Sequence, residues 1–323
     1  MKAIRYFTYG SPEVLRLQDT SMPAVRDEDV LVRVRAASVN PLDFHFMRGT
    51  PYLVRAQTGL SRPKANGLGA DMAGQVEAVG KSVTRFQPGD EVFGGRSGTL
   101  AEYISIPEDG VVLTKPANLT FEQAAAVPLA ALTALQALRN KGRVRPGQKV
   151  LVNGAAGGVG TFAVQIAKAF GAEVTGVCST PNVGMVASIG ADQVVDYTQQ
   201  DFTQTGQRYD LLVDMAGSRT LAEHRRILTP KGILVAVGGP DNGQWIGPVI
   251  GLAKILMLSA VVSQTMTPML ARQRTDDLAV LRELLEDGKV TPVIDRTYPL
   301  SEVPAAIGYL EQGHARGKVV ITM

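Results

Sequence analysis

The sequence predicts an α/β protein of two domains, a small irregular β-barrel followed by a doubly wound parallel sheet. Its 323 residues are too many for one compact core. The first third contains short strand-like runs divided by turn residues, whereas strands and helices alternate after about residue 121. Such alternation is typical of parallel strands joined by right-handed helical crossovers.

The first third is predicted to be β because its apolar runs are short and rich in Val and Ile. Turn residues such as Gly80-Lys81 and Gly94-Gly95 separate these runs. Regular alternation of apolar and polar side chains breaks repeatedly, which favours a small barrel over a sandwich of long strands. The predicted strands cover residues 29–34, 75–79, 91–93 and 101–105.

In the region after residue 121, a helix over residues 121–140 is predicted to lead into a first strand at 149–153. The strands that follow are almost continuously apolar, as burial on both faces requires. After Gly239 the pattern blurs, until a helix at 276–287 and a strand at 318–322. The alternating series comprises strands at 173–179, 193–196, 210–214 and 232–237, and helices at 159–170, 183–189 and 220–228.

Charge and hydropathy exclude several classes of protein. A net charge of +3 without a Lys/Arg run predicts no nucleic-acid partner. The N-terminus has no apolar core of the signal-peptide kind, so we expect a cytoplasmic protein. The most apolar stretch, residues 246–262, contains Pro248 and Lys254 and is short for a bilayer. It is predicted to be a buried or lid-forming helix, with no membrane span.

The inventory of metal-binding side chains is small. Cys178 is the one cysteine, which excludes an intramolecular disulfide and any multi-cysteine zinc site. We expect Cys178 to pack at a strand end rather than act as a nucleophile. The three histidines, His45, His224 and His314, are far apart in the chain. No metal site is therefore expected.

A glycine-rich turn lies between the first predicted strand and helix of the alternating series. Glycines at this spacing let the chain turn tightly, approach a pyrophosphate and pack the helix on the sheet. The helix N-terminus would then present free N–H groups and a positive dipole end to phosphate. The residues predicted to contact a dinucleotide here are Gly154, Ala156, Gly157, Gly158, Val159 and Gly160.

The end of the second predicted strand favours NADPH over NADH. An NAD site usually places Asp or Glu there to bind the ribose 2′-OH, and residues 176–180 contain neither. The hydroxyl groups of Ser179, Thr180 and Tyr197 are candidate donors to a 2′-phosphate instead.

A longer pattern surrounds the glycine turn and continues elsewhere in the chain. It comprises Gly147-Gln148, Leu151, Ala155-Ala156-Gly157-Gly158, Gly160, Gln165 and Lys168, with further segments at residues 38–43, 67–74, 88–92 and 317–320. This pattern resembles the zinc-independent, quinone oxidoreductase type of the medium-chain dehydrogenase/reductase family. Within that type it is most similar to the reticulon-interacting-protein-like NADPH reductases and their bacterial relatives.

The resemblance implies a GroES-like barrel plus a Rossmann domain, with NADPH in the cleft between them. The barrel would comprise residues 1–121 and 263–323, and the Rossmann domain residues 122–262. Zinc alcohol dehydrogenases of this family have a Cys ligand near Asn40 and a His ligand near Ala70, and neither ligand is present here. A homodimer is a further family expectation.

The resemblance also extends the predicted cofactor site. Thr133 stands where the family has a Thr beside the nicotinamide, and Gly238 and Lys318 complete the set of predicted cofactor contacts. Family members that use NADPH usually carry a Lys or Arg near Pro181 or Asn182, and this chain has neither.

The cofactor would supply hydride, and the protein would orient the acceptor and stabilise charge. Without a Lewis acid, the alkoxide from a simple ketone is too basic to stabilise, whereas a quinone gives a phenolate-like product. One or two hydrogen-bond donors suffice for that product. Asn40 and His45 are the candidate donors, although Asn40 could tie its own turn and His45 could be structural. Asp43 is expected to tether the barrel as a hydrogen-bond acceptor rather than to act as a general base.

Three functions remain open from the sequence. The first is an NADPH-dependent quinone reductase. The second is an enone or alkenal double-bond reductase, which needs the same donors. The third, from another class, is an NADPH-binding interaction protein with little turnover. The physiological acceptor, the number of electrons delivered and the oligomeric state are not determined by the sequence.

Overall fold

The computed structural model describes residues 1–64, 66–237 and 263–323, in two compact units. The first unit consists of Met1–Ala130, Gln273–Glu286 and Pro292–Met323, and the second of Ala131–Arg272 and Asp287–Thr291. One unit is built on a mostly antiparallel sheet and the other on a parallel sheet, which confirms the predicted fold class.

The first unit is built on a seven-stranded sheet. Six of its strands follow the order β14-β15-β3-β4-β5-β7, and the seventh, β6, also pairs with β3. All its pairs are antiparallel except β14 with β15. A separate hairpin joins β1 to β2. The strands of this unit are β1 Lys2–Arg5, β2 Arg16–Asp19, β3 Asp29–Val39, β4 Asp71–Val79, β5 Glu91–Gly95, β6 Tyr103–Pro107, β7 Val112–Thr114, β14 Ile294–Pro299 and β15 Lys318–Thr322.

Alternate side chains of β3, such as Val30, Val32 and Val34, enter one hydrophobic core. Met72 of β4 and Ile321 of β15 join the same core. Burial of each such side chain contributes about 1.5–3 kcal/mol. The helices of this unit are Pro41–Arg48, Arg55–Thr58, Phe121–Ala125, Thr275–Glu286 and Val303–Glu311, with 3-10 turns at Pro12–Val14, Tyr52–Val54 and Leu300–Glu302.

Three adjacent strands of this sheet place their polar ends side by side. The register pairs Ser38 of β3 with Asp71 of β4. On the other side of β3, Val39 pairs with Val319 of β15. Asn40, which follows β3, therefore lies at the same end of the sheet as the first residues of β4 and β15.

The second unit contains a six-stranded, wholly parallel sheet with the order β10-β9-β8-β11-β12-β13. In chain order this is the 3-2-1-4-5-6 arrangement of doubly wound dinucleotide-binding sheets. Its strands are β8 Lys149–Asn153, β9 Glu173–Cys178, β10 Gln193–Asp196, β11 Tyr209–Asp214, β12 Leu228–Ala236 and β13 Thr265–Pro268. Its helices are Gly158–Ala169, Val183–Ser188 and Leu221–Ile227, with 3-10 turns at Thr180–Asn182 and Phe202–Gln204.

The predicted helix over residues 121–140 is divided in the structure. It forms helices Phe121–Ala125 and Pro128–Leu135, followed by a π-helical turn at Gln136–Lys141. Pro128 has no N–H to donate to the preceding turn, so it begins a new helix rather than continuing the first.

The unit boundaries also differ from the expected domains. Helix Phe121–Ala125 packs on β3 and β4, which keeps the chain as far as Ala130 in the first unit. Strand β13, not predicted from the sequence, pairs with β12, so residues 263–272 join the second unit rather than the barrel. The predicted apolar segment at 246–262 lies outside the described residues. Across the residues that are described, no helix is long and apolar enough to span a membrane.

Candidate active site

Asp71 is the centre of a buried polar cluster in the first unit. Its Oδ2 accepts hydrogen bonds from Ser38 Oγ at 2.8 Å and from Asn40 Nδ2 at 2.9 Å. Its Oδ1 accepts from the backbone N–H of Leu129 at 2.8 Å, in the first turn of a helix, where the helix dipole favours a negative charge. Lys318 Nζ lies 3.6 Å from Oδ2. This carboxylate, fully buried, is thus hydrogen-bonded and paired with a cation.

The ammonium group of Lys318 is directed at Asn40. Its Nζ donates to Asn40 Oδ1 at 2.6 Å and to the carbonyl oxygen of Val39 at 3.4 Å. Lys318 is 3% exposed, and burial lowers the pKa of its ammonium group against the opposing effect of Asp71. Within the first unit, Lys318 is therefore held by the cluster to which Asn40 belongs.

The partners of Asn40 determine which way its amide faces. An ammonium group can only donate and a carboxylate can only accept, so Oδ1 must face Lys318 and Nδ2 must face Asp71. Reversing the amide would lose two charge-assisted hydrogen bonds, each contributing about 1.5–3 kcal/mol. One of the two Nδ2 hydrogens is used by Asp71, which leaves the second as a donor.

Asp43 ties the turn after β3 to a neighbouring loop. Its Oδ2 accepts from the backbone N–H of Asn40 at 2.7 Å, and its Oδ1 from the backbone N–H of Gly69 at 2.8 Å. Burial raises the pKa of the Asp43 carboxyl to about 6, although these two hydrogen bonds oppose the rise. The geometry supports the tethering role proposed for this residue.

His45 lies in helix Pro41–Arg48, with its Nδ1 2.9 Å from the carbonyl oxygen of Thr50. A carbonyl only accepts, so Nδ1 carries the hydrogen. In the neutral ring, Nε2 is then an acceptor, and it becomes a donor only when the imidazole is protonated. The contact also ties the helix that contains His45 to the backbone at Thr50, which supports the structural role that the sequence left open for this residue.

The glycine turn of the second unit has three different local requirements. Gly154 adopts a φ of 85°, which side chains other than glycine rarely adopt. A Cβ on Gly160 would lie 2.0 Å from the carbonyl oxygen of Gly154, so the close packing of helix on turn requires glycine. A Cβ on Gly157 would meet that oxygen at 3.5 Å, an ordinary contact. Packing therefore does not explain Gly157, whereas close approach of a ligand would.

The helix that follows this turn begins at Gly158, with Gly157 as its N-cap. Thr161 N makes the first helical bond, to Gly157 O at 3.0 Å. Helix geometry leaves the earlier N–H groups, those of Gly158, Val159 and Gly160, without an intrahelical acceptor. The turn thus fits the pyrophosphate of a dinucleotide in both backbone shape and available donors.

The strand ends beneath this turn are joined by a second buried cluster. Asn153 Nδ2 donates to Asp214 Oδ1 at 2.8 Å, which links the last residues of β8 and β11. The same oxygen accepts from the backbone N–H groups of Ala216 and Gly217. The imidazole of His224 is buried 3.5 Å from Asp214, and burial lowers its pKa. These contacts fix the carboxyl end of the sheet on which the turn stands.

The predicted ribose-phosphate residues gather at the ends of β9 and β10. Ser179 Oγ accepts from Asn182 Nδ2 at 3.1 Å, so its own hydrogen stays available. Tyr197 is 54% exposed. Thr180 Oγ1, however, donates to the carboxylate of Asp196 at 2.5 Å. Hydrogen bonds, that from Thr180 first, lower the pKa of Asp196, so a negative charge stands beside the predicted donors.

The other predicted residues are placed as follows. Thr133 is buried in helix Pro128–Leu135, and Ala156 is buried in the glycine turn. Gly238 lies outside the described residues. Sequence reasoning missed Asp71 and Asp196 as site residues. Asp71 belongs to the segment 67–74, which resembles a barrel motif of the family, and Asp196 is the last residue of the third strand of the parallel sheet, not of the second.

Metal-binding side chains are sparse in the described parts of both units. Within residues 1–64, 66–237 and 263–323, no group of three or more His, Cys, Asp or Glu side chains could hold a metal ion. Asn40 and Ala70, where zinc relatives would have ligands, supply an amide and a methyl group.

Two family models match the chain. One, described as an alcohol dehydrogenase GroES-like domain, matches residues 26–116, and the other, described as a zinc-binding dehydrogenase, matches residues 189–321. The first confirms the predicted GroES-like character of the barrel. Together with the parallel sheet and its glycine turn, these matches define an oxidoreductase of the alcohol dehydrogenase class.

Curated relatives and solved structures place the chain more closely. It is 35% identical over 351 residues to NAD(P)H oxidoreductase RTN4IP1, mitochondrial, of Mus musculus, with 98% of this chain and 87% of the relative covered. It is 34% identical over 336 residues to 2-methylene-furan-3-one reductase of Solanum lycopersicum, with 99% of this chain and 79% of the relative covered.

Among solved structures, the quinone oxidoreductase from Coxiella burnetii superposes with a TM-score of 0.87 at 31% identity, covering 100% of this chain and 99% of that one. The Escherichia coli quinone oxidoreductase complexed with NADPH gives a TM-score of 0.84 at 27% identity, with 100% of both chains covered. The chain belongs to the medium-chain dehydrogenase/reductase family, in its quinone oxidoreductase branch, as the sequence motifs predicted.

Proposed function

We propose that this protein is a reductase that transfers hydride from NADPH to a quinone. The observation that carries the proposal is the orientation of Asn40, whose amide is held by Lys318 and Asp71 and keeps one N–H to donate. A single fixed donor suits a product oxygen that is only weakly basic. The relatives named as NAD(P)H and quinone oxidoreductases support the same reaction class.

The cofactor residues proposed in the second unit are those of the glycine turn, with Ser179, Tyr197 and Thr133. NADPH would place its pyrophosphate against the N–H groups of residues 158–160, and Ser179 and Tyr197 would donate to its 2′-phosphate. Bound NADPH supplies the hydride. The relative that is complexed with NADPH supports this choice of dinucleotide over NADH.

The acceptor follows from the strength of the available donors. Hydride addition to a quinone leaves a phenolate-like oxygen, with a pKa near the roughly 10 of tyrosine. Asn40 can donate to that oxygen at any pH. His45 can donate only as the imidazolium, because its Nδ1 hydrogen is directed at Thr50. The Asn40 donor, joined by His45 when its imidazole is protonated, suits a phenolate or an enolate, whereas the alkoxide of a simple ketone needs a stronger electrophile.

A second candidate function is reduction of an enone double bond, which yields an enolate at the same donors. The similarity to 2-methylene-furan-3-one reductase favours it as the runner-up. A binding protein without turnover would not need the Asn40 amide held in one orientation.

Zinc independence is part of the proposal. The second family model is described as a zinc-binding dehydrogenase, but the side chains of Asn40 and Ala70 are not zinc ligands. A cytoplasmic location and a homodimer remain predictions. The relative from Mus musculus is named as a mitochondrial protein, so its name does not support a cytoplasmic location.

A panel of acceptors tests the function. The metal-free protein is mixed with NADPH or NADH and a series of benzoquinones, enones and simple aldehydes, and loss of reduced cofactor is followed by absorbance. We expect oxidation with quinones, slower oxidation with enones and little with aldehydes. Turnover of aldehydes alone, restored by zinc, would contradict the proposal. Tight NADPH binding without turnover on any acceptor would favour the binding-protein alternative.

The role of Asn40 is tested separately by Asn40→Ala. Loss of one donor at the product oxygen should lower kcat for quinone roughly 10²-fold or more, with little change in the Kd of NADPH. Ser38→Ala is a matched control, since it also removes a hydrogen bond to Asp71 but leaves the Asn40 amide in place. Equal kinetics in Asn40→Ala and Ser38→Ala would remove Asn40 from the catalytic role.

A further inference from the structure

Lys318 is a buried cation to which the proposed reaction assigns no step. The sequence resemblance suggested that it contacts the cofactor. In the first unit, however, its Nζ already has three partners: Asn40 Oδ1 at 2.6 Å, Val39 O at 3.4 Å and Asp71 Oδ2 at 3.6 Å. The first two accept hydrogen bonds from the ammonium group, and the carboxylate of Asp71 pairs with its charge.

The strand register explains why this cation stands at Asn40. Lys318 opens β15, directly before Val319, which pairs with Val39 of β3. The side chain is therefore set by two rigid strands rather than by a mobile loop. An ammonium group placed in this way fixes the neighbouring amide to within the narrow angular range that an oriented donor requires.

The two charges of the pair act on opposite ends of one amide. Lys318 holds Oδ1 and Asp71 holds one hydrogen of Nδ2, so the remaining N–H direction is determined by both. Without Lys318, the amide would be freer to rotate, because its oxygen would lose its charged donor. Without the charge of Asp71, the opposite end would lose its fixed acceptor.

We propose that Lys318 and Asp71 are positioning residues, which act through Asn40 by fixing the direction of its free N–H toward the acceptor oxygen. This inference rests on the proposed reductase function. It assigns to Lys318 a role in the turnover step rather than in binding of the cofactor. Because Lys318 would act only through the Asn40 amide, the effects of substituting Lys318 and Asn40 should not be additive.

The test is a double-mutant cycle between Lys318 and Asn40. Lys318→Met keeps most of the length of the side chain and removes its hydrogen-bond donors, whereas Lys318→Gln keeps a neutral N–H donor on a side chain one bond shorter than lysine. Each is made alone and together with Asn40→Ala. Thermal melting confirms folding, and NADPH fluorescence gives the Kd of each variant.

We expect Lys318→Met to lower kcat for quinone roughly ten-fold to a hundred-fold, with less than about a three-fold change in the Kd of NADPH. Lys318→Gln should recover part of that loss. In the Asn40→Ala background, neither substitution should lower kcat further. A mainly weakened NADPH affinity in Lys318→Met, or losses that multiply in the double variant, would overturn the proposal. If Lys318→Met does not fold, Lys318→Gln completes the cycle.

A spectroscopic readout separates this inference from the proposed function. In protein labelled with ¹⁵N-asparagine, the Asn40 side-chain amide is assigned by its loss in Asn40→Ala. We expect its two N–H shifts to move in Lys318→Met, and an unchanged pair of shifts would overturn the inference. If the shifts move in Lys318→Met but the wild-type protein turns over no acceptor, the proposed function is wrong, whereas the role of Lys318 in fixing the amide stands.

Discussion

Lys318 Nζ lies 2.6 Å from Asn40 Oδ1, and both side chains are almost wholly buried. A lysine in this setting is costly to bury unless it is paired, and Asp71 supplies the opposite charge. The pairing leaves Asn40 with a single available N–H. The chemistry that we propose for the protein depends on that donor in the first unit and on the glycine turn in the second.

The glycine turn gives a prediction that separates packing from ligand binding. Gly160→Ala would place a Cβ 2.0 Å from Gly154 O, so we expect it to destabilise the protein by about 1–3 kcal/mol and to weaken NADPH binding. Gly157→Ala meets only an ordinary contact and should leave the melting temperature nearly unchanged while still weakening NADPH binding. Calorimetric melting and fluorescence titration measure the two effects. Wild-type NADPH affinity in Gly157→Ala would show that the ligand does not approach this residue.

Asp43 gives a prediction about pH. Its folded-state pKa, about 6, lies above the ordinary value of 3.8, so between these values the folded protein binds more protons than the unfolded chain. The contribution of Asp43 to the free energy of unfolding should therefore fall by roughly 3 kcal/mol as pH rises from about 4 to 6. Above pH 6 it should stay constant.

The comparison of wild type with Asp43→Asn isolates this contribution, because other titrating groups are common to both proteins. Urea unfolding at a series of pH values gives the difference in free energy of unfolding. The stability of the wild type relative to Asp43→Asn should fall as pH rises from about 4 to 6. A difference that is independent of pH, or that shifts in the opposite direction, would contradict the burial argument.

Asp196 gives a prediction about the choice of cofactor. Its ionised carboxylate accepts from Thr180 and stands beside the donors proposed for a 2′-phosphate. Asp196→Asn should therefore tighten NADPH binding by about two- to five-fold and change NADH binding little. Asp192→Asn is a suitable control, since that carboxylate pairs with Lys168 at the other end of β10. Equal effects of the two substitutions on NADPH would place the 2′-phosphate elsewhere.

Cys178 gives a prediction about thiol reactivity. Burial raises the pKa of its thiol to about 11, so very little thiolate is present at pH 8. We expect the native protein to react slowly with iodoacetamide and the denatured protein to react at the ordinary rate of a thiol. Mass spectrometry follows the labelling without ambiguity, because the chain has one cysteine. Rapid labelling of the native protein would contradict the packing role.

The local parts of the account could be predicted from the sequence. The glycine turn depends on the spacing of three glycines between a strand and a helix, which is visible in a short segment. The alternation after residue 121 likewise predicts the parallel sheet. The predicted helix over residues 121–140 was wrong as a continuous element, because Pro128 divides it.

The contacts that join distant segments could not be predicted. Asp71 and Lys318 reach Asn40 only because β4 and β15 flank β3 in a particular register, and the residues themselves do not reveal this register. Asp196 reaches Thr180 by the pairing of β10 with β9. The end of the second strand carries no carboxylate of its own, and the carboxylate that accepts from Thr180 comes from the end of the third strand, which only this pairing brings close.

A single-turnover measurement follows hydride transfer from bound NADPH to the acceptor without product release. Protein saturated with stoichiometric NADPH, in buffer treated to remove metals, is mixed rapidly with benzoquinone while NADPH absorbance is followed. We expect oxidation of the bound NADPH, slowed by deuterium at the transferred position of the nicotinamide and strongly slowed in Asn40→Ala. Bound NADPH that stays reduced with every quinone and enone, or that is oxidised only after zinc is added, would contradict this expectation.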